Sequence, residues 1–335
     1  MARDHIQTLL LCALPASGKS ETRKFLASLS DEDLKTNFKI AETVQLDDYP
    51  YVDMMRKIDD ALMEKNQPRM FFAAADKGFI NSYDWGTLMH LINEDYEDLI
   101  NKPARPAYEH SSKWMFERMD AARALVGIKD SIMSKPADVL EHLYSKLDAT
   151  NDVLMSEKFD CFPDTLEDKT VVIEFARGGA QGSEMPLKPP MGYEYSFSCL
   201  SDRILSGAAV LYVWVTPEMS RAKNIARAQE KAGDAATSAN LSLNHGVPMS
   251  VMLGDYGCDD IEYLLETSGI PDAVKITAQK SGKEFVIPLG RFDNREDLTT
   301  FARGPRAEWS TEDIAKIRAA FEKCFAGLTE RYVNM

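Results

Sequence analysis

Ile6 to Leu26, IQTLLLCALPASGKSETRKFL, leaves the backbone few choices: an apolar run, a loop of small residues, then a mixed pattern opening on Gly18, Lys19 and Ser20. It predicts a buried strand, a tight turn and a helix. The phosphate-loop pattern G-x-x-x-x-G-K-[ST] is met by Gly18-Lys19-Ser20, and Ala13 stands where the pattern has its first glycine. A triphosphate is a dense anion that needs donors without bulk, and small residues before a helix N-terminus bring backbone N–H groups together. The expected contact set is Ala13, Leu14, Pro15, Ala16, Ser17, Gly18, Lys19, Ser20 and Glu21. Lys19 would reach the β- and γ-phosphates of ATP, and the Ser20 hydroxyl would ligate Mg²⁺.

The rest of the chain is consistent with an α/β protein. Short apolar strands are expected at Thr43 to Leu46, Thr170 to Phe175, Ala208 to Val215, Ala273 to Thr277 and Glu284 to Ile287. Helices are expected at Gly18 to Leu29, Val52 to Lys65, Thr216 to about Gly233, Asp259 to Glu266 and Thr311 to Tyr332, and Tyr195 to Leu205 is helical in pattern. Ser30, Thr216 and Ser310 stand at N-cap positions. The alternation predicts a doubly wound, mainly parallel sheet of about five strands.

Between Asn66 and Asp168 the pattern becomes helix after helix: Asp84 to Ile100, Tyr108 to Ser134, and Pro136 to Asp148, with Pro136 at a first helical position. This divides the chain into a core of 1–65 and 169–335 with a lid, and a helical insertion of 66–168 expected to bind substrate. Trp85, Tyr96, Trp114 and Phe116 at helical spacing are expected in the core.

Ligands of a doubly wound sheet bind beyond the carboxyl ends of its strands. Asp47 and Asp48 fall there after the second strand, and Glu174 with Arg177 after the third. Glu174 closes a buried strand, where an acid needs a partner or a metal. Lys223, Arg227 and Lys231, at i, i+4 and i+8, make a basic stripe on one helix face. The acids Asp255, Asp259, Asp260 and Glu262 are read as N-terminal helix charge. Asp234 to Gly257 looks flexible; His245-Gly246-Val247-Pro248 within it is compatible with a mobile lid, but a lone histidine is usually structural.

In these motifs the chain resembles the P-loop small-molecule kinases, the group of uridine kinase and the nucleoside and nucleoside-monophosphate kinases. Asp47-Asp48-Tyr49 is similar to the motif in which an aspartate is the base for the acceptor hydroxyl. Glu174-Phe175-Ala176-Arg177 resembles the Glu-Arg of deoxynucleoside kinases with two residues inserted. The resemblance implies ATP and Mg²⁺ as cofactors, with Lys19, Asp47, Asp48 and Arg227 catalytic and Lys223 and Arg227 on the phosphates. It implies Asp48, Tyr49, Glu174 and Arg177 on the acceptor and Ser20 and Glu174 on the metal. The expected activity is transfer of the γ-phosphoryl group to a hydroxyl or phosphate of a small metabolite, nucleoside or sugar-like. The alternative is a nucleotide-binding regulatory protein whose helical insert serves partners.

A net charge of −14 argues against tracking nucleic-acid phosphates, and no apolar run approaches the roughly 20 residues of a membrane span. Five scattered cysteines, none in C-x-x-C, argue against a disulfide framework and fit a reducing cytoplasm. Oligomeric state is not written in these features.

Overall fold

A computed structural model describes residues 3–230 and 246–335. Lys231, His245 and the first part of the Asp234 to Gly257 stretch lie outside the described residues. The chain forms two compact units, Met1–Gln45 with Glu167–Met335, and Leu46–Leu166.

The first unit is α/β. Its six strands are β1 (Thr8–Cys12), β2 (Glu42–Asp47), β3 (Lys169–Phe175), β4 (Ala208–Trp214), β5 (Ala273–Thr277) and β6 (Glu284–Asp293), in the order β2-β3-β1-β4-β6-β5. β1 runs parallel to β3, with Leu11 opposite Glu174, and to β4, with Cys12 opposite Tyr212. β4 is parallel to β6, and β5 pairs antiparallel with β6. All five residues of β1 are buried because both faces of the sheet are covered, which is why it reads as a continuous apolar run.

On one face Leu9, Leu11, Val172, Leu211 and Phe292 pack against Phe25, Phe38, Phe321 and Phe325. The Phe321 ring stacks on Phe292 at 4.3 Å and on Phe25 at 5.4 Å, tying the helix Thr311–Val333 to both the sheet and the helix Lys19–Leu26. Truncating such a ring to alanine costs about 3–5 kcal/mol. On the other face Tyr193 and Phe197, from the helix Gly192–Ser198, meet Phe175 at 6.0 and 5.9 Å. β1 has β3 on one side and β4 on the other, so connections leave it in both directions. That is the switch point of the sheet, the place outside which doubly wound sheets bind their ligands.

Sequence and structure differ at several element ends. The described residues hold six strands where about five are expected, and the last of them, β6, runs past Ile287 to Asp293. Pro288 does not stop it: pairing with β5 ends at Pro288 and pairing with β4 begins at Leu289, so the missing N–H falls at the handover. The stretch from Tyr195 to Leu205 is two helices, Gly192–Ser198 and Asp202–Ser206, because Ser201 accepts from the N–H of Ile204 and starts the second. Ser30, Thr216 and Ser310 cap as expected, accepting from Asp33, Met219 and Asp313.

The second unit is helical: Tyr49–Glu64, Asp84–Asn101, Ser111–Leu125 and Ala137–Phe159. The helix expected to run to Ser134 ends at Leu125, just before Gly127 turns the backbone to φ 83°. Its successor reaches Phe159 rather than Asp148, and Pro136 is its N-cap rather than its first helical residue. Trp85, Tyr96, Trp114 and Phe116 are core residues. Buried charge holds this unit in register. Asp59 accepts from the N–H groups of Met70, Phe71 and Phe72, and Asp84 pairs with Arg123 at 3.0 Å. Asp95 binds Tyr51, Arg118 and Lys158; burial alone would raise its pKa, but the two cations outweigh it and hold the carboxyl below its usual range. No helix of the described residues is long and apolar enough to cross a membrane.

Candidate functional site

The loop between β1 and the helix Lys19–Leu26 is bent by two left-handed residues, Ala16 at φ 57° and Gly18 at φ 103°. Ala13 has no positive φ, and its methyl group lies in the hydrophobic core with Leu11 and Phe292, so the position usually held by glycine accommodates a side chain here. Ser17 closes the turn by donating Oγ–H to the Leu14 carbonyl at 2.7 Å. A side chain at Gly18 would collide with Thr299 Oγ1 at 2.4 Å and Asn294 Nδ2 at 2.8 Å.

Alternate carbonyls of the loop are bound by side chains from three distant segments. Tyr193 Oη–H donates to Ala13 at 3.0 Å, Ser220 Oγ–H to Pro15 at 2.6 Å and Asn294 Nδ2–H to Ser17 at 2.8 Å. The negative ends of these peptides are therefore spent on protein donors. The first-turn N–H groups of Lys19, Ser20 and Glu21 have no helical acceptor, and Gly18 supplies no side-chain cap. Among the described residues no ion pair involves Lys19 and no hydrogen bond involves the Ser20 hydroxyl. The result is a donor-rich loop at a positive helix end.

The cations expected around it are engaged. Glu21, 5% exposed, accepts from Arg303 Nε at 2.9 Å through Oε1, and Arg227 Nη2 lies 3.6 Å from the same oxygen. Lys223 pairs with Asp297 at 2.8 Å. Burial raises the Asp297 carboxyl, but the Lys223 and Thr300 hydrogen bonds prevail and hold it low. The stripe is thus an ion-paired face, and Arg227 is brought to the loop helix by Glu21.

Glu174 sits on the sheet face of Val172 and meets Arg23 Nη1 at 3.2 Å, so its carboxylate has an internal cation. Arg177 is buried at 2% exposure, with Nε donating to Ser196 Oγ at 3.0 Å and Nη1 to the Ala176 carbonyl at 2.6 Å, over the Phe175 ring. The inserted residues of Glu174-Phe175-Ala176-Arg177 thus send its acid and its base to different partners. At the end of β2, Asp47 Oδ1 accepts the Tyr49 N–H at 2.9 Å. Asp48, 8% exposed, precedes the helix Tyr49–Glu64, and its carbonyl receives the N–H of Val52. Burial, then Asp53, raise the Tyr49 phenol.

The acids at Asp259 and Asp260 do more than charge their own helix. Asp260, 1% exposed, accepts from the N–H groups of Tyr193 at 2.6 Å and Glu194 at 3.0 Å, capping the helix that carries Tyr193 to the Ala13 carbonyl. Burial pushes its carboxyl up to about 6. Gly192 is required there, since a Cβ would lie 2.5 Å from Asp260 Oδ2. Asp259 accepts from Tyr212 Oη at 2.6 Å. Among the described residues no three His, Cys, Asp or Glu side chains cluster as a metal cage.

Tyr193, Ser220, Asn294, Thr299 and Arg303 are absent from the sequence-based set. Of these, Asn294 has a detectable signal: it follows the carboxyl end of β6, a position visible only once that strand is extended to Asp293. Comparison with family models, with curated proteins and with solved structures gives no match to this chain.

Proposed function

We propose that this chain is an ATP- and Mg²⁺-dependent phosphotransferase that moves the γ-phosphoryl group to a small hydroxyl- or phosphate-bearing metabolite. The observation that carries the reading is the loop of Ala13 to Ser20. Its carbonyls at Ala13, Pro15 and Ser17 are tied to side chains, while the helix N–H groups behind Gly18 keep their donor capacity. That polarity suits a polyphosphate. Lys19 is the cation for the β- and γ-phosphates. Ser20 fits a Mg²⁺ ion, which takes one or two protein oxygens and completes its shell from phosphates and water. Arg227 stabilises the transferred group after exchanging Glu21 for phosphate, and Lys223 follows it on the same helix. Asp47 or Asp48 takes the acceptor proton, Tyr49 belongs to the acceptor site, and Arg177 and Glu174 support the strand end between them.

The experiment is ADP release by wild type and Lys19→Ala across a panel of hydroxyl-bearing metabolites, with Asp47→Asn and Asp48→Asn alongside. Acceptor-dependent ADP release that vanishes with Lys19→Ala supports the reading. A second reading, a nucleotide-binding regulator, is favoured by the internal pairing of Lys223, Arg227 and Glu174. ATP binding with no acceptor-stimulated turnover would decide for it.

A further inference from the structure

Two arginines from distant parts of the chain converge on one carboxylate beside the phosphate loop. Arg227 belongs to the helix Pro217–Glu230 and Arg303 to the short 3-10 helix Thr300–Arg303. Glu21, the residue after Ser20, is buried and meets both through Oε1. Arg303 Nε donates to it at 2.9 Å, while Arg227 Nη2 stands at 3.6 Å, beyond hydrogen-bond distance.

Each arginine is delivered by an element that also grips the loop. Ser220 binds the Pro15 carbonyl, and two turns further along the same helix Arg227 meets Glu21. On the other flank Asn294 holds the Ser17 carbonyl, Thr299 lies against Gly18, and Arg303 follows on Glu21. Lys223 and Asp297 join the two flanks at 2.8 Å. In this network three cations, Lys223, Arg227 and Arg303, meet two carboxylates, Glu21 and Asp297. Positive charge is therefore in excess beside Lys19, although the chain as a whole carries −14. Two guanidiniums on one carboxylate oxygen repel each other, and neither makes the two parallel bonds of a guanidinium fork there. A phosphate, with more charge and oxygens on several sides, can take both.

We propose that Glu21 is a built-in stand-in for a nucleotide phosphate: it holds Arg227 and Arg303 together before nucleotide arrives, and Mg-ATP takes both guanidiniums from it. Arg303, supplied by the segment after β6, is thereby a second arginine of the phosphate site. The inference rests on the nucleotide reading of the loop. A stand-in and a merely structural ion pair differ in sign. Detaching the arginines from a stand-in weakens the apparent affinity for ATP, so removing the carboxylate tightens binding even as it lowers stability. Removing a structural pair lowers stability and tightens nothing.

The test is isothermal titration of Mg-ATP into the full chain and into Glu21→Gln, Arg303→Ala and Arg303→Lys, with thermal melts of each in the absence of nucleotide. Glu21→Gln should melt below wild type yet bind Mg-ATP several-fold more tightly, Arg303→Ala should bind about tenfold more weakly, and Arg303→Lys should fall between wild type and Arg303→Ala. In wild type the Nε–Hε NMR resonance of Arg303 should shift with Mg-ATP and stay in place with adenosine, a reading that serves even where Glu21→Gln does not fold. Saturable binding to wild type combined with a folded Glu21→Gln that binds no tighter, an Arg303→Ala that binds equally well, or an Arg303 resonance unmoved by Mg-ATP overturns this inference and leaves the nucleotide reading standing. Absence of Mg-ATP binding in wild type and every variant overturns that reading, and this inference with it.

Discussion

Gly18→Ala is the sharpest probe of how the loop is held. Two costs add. The residue sits at φ 103°, and a left-handed backbone costs an L-residue about 1–2 kcal/mol. The new methyl would also lie 2.4 Å from Thr299 Oγ1 and 2.8 Å from Asn294 Nδ2, so the Asn294 amide must leave the Ser17 carbonyl. Orphaning that buried pair costs about 1–3 kcal/mol, for a total of about 2–5 kcal/mol. Gly182→Ala is the control, because it has φ 79° but nothing within 4 Å of its Cβ, and it carries only the backbone cost. Urea denaturation should therefore show Gly18→Ala less stable than Gly182→Ala by about 1–3 kcal/mol. On an Asn294→Ala background the excess should shrink, since the displaced bond is already gone. Equal losses for the two glycine variants, or an excess untouched by Asn294→Ala, would refute the claim that the segment after β6 braces the loop.

Two further outcomes follow from buried charge. Burial alone lifts the Asp255 carboxyl from 3.8 to about 6, so the folded chain binds its proton more tightly than the unfolded one. The resulting cost to stability is full above pH 6 and disappears as pH falls toward 3.8. Asp255→Asn should accordingly be more stable than wild type at pH 8 and no more stable at pH 3.5, checked by denaturant midpoints. In the helical unit Asp84 and Arg123 are an ion pair with side chains 0% and 2% exposed. Arg123→Met should destabilise by about 3–5 kcal/mol, and adding Asp84→Leu should recover most of it, because the loss comes from a stranded charge. Thermal melts of the single and double variants check this.

What could be read from the sequence was governed by how local its cause is. β3 was legible because the adjacent residues Thr170 to Ile173 are all buried, and the caps at Ser30, Thr216 and Ser310 because each acts over three residues. The bend at Ala16 and Gly18 follows from small residues in one loop. The braces do not: Tyr193 meets Ala13 across 180 positions and Asn294 meets Ser17 across 277, and no short window contains both ends. Glu174 closes a strand, which marks it as an acid needing a partner or a metal, and Arg23, which pairs with it, is one helix turn past the loop and reaches it only when the helix packs on the sheet. Lys223 and Arg227 have helical spacing that is plain in the sequence. The carboxylates that occupy them, Asp297 and Glu21, become neighbours only through folding.

The loop of Ala13 to Ser20 is proposed to receive the phosphates of ATP. Isothermal titration of Mg-ATP into wild type and Lys19→Ala tests it most directly, with thermal melts as the parallel reading. Saturable binding to wild type is expected, with a melting point that rises with nucleotide and a stabilisation of about 2.7 kcal/mol once nucleotide reaches a hundred times its Kd. Lys19→Ala should fold as wild type does and bind at least about tenfold more weakly. No heat and no stabilisation at millimolar Mg-ATP, or unchanged affinity in Lys19→Ala, would contradict it.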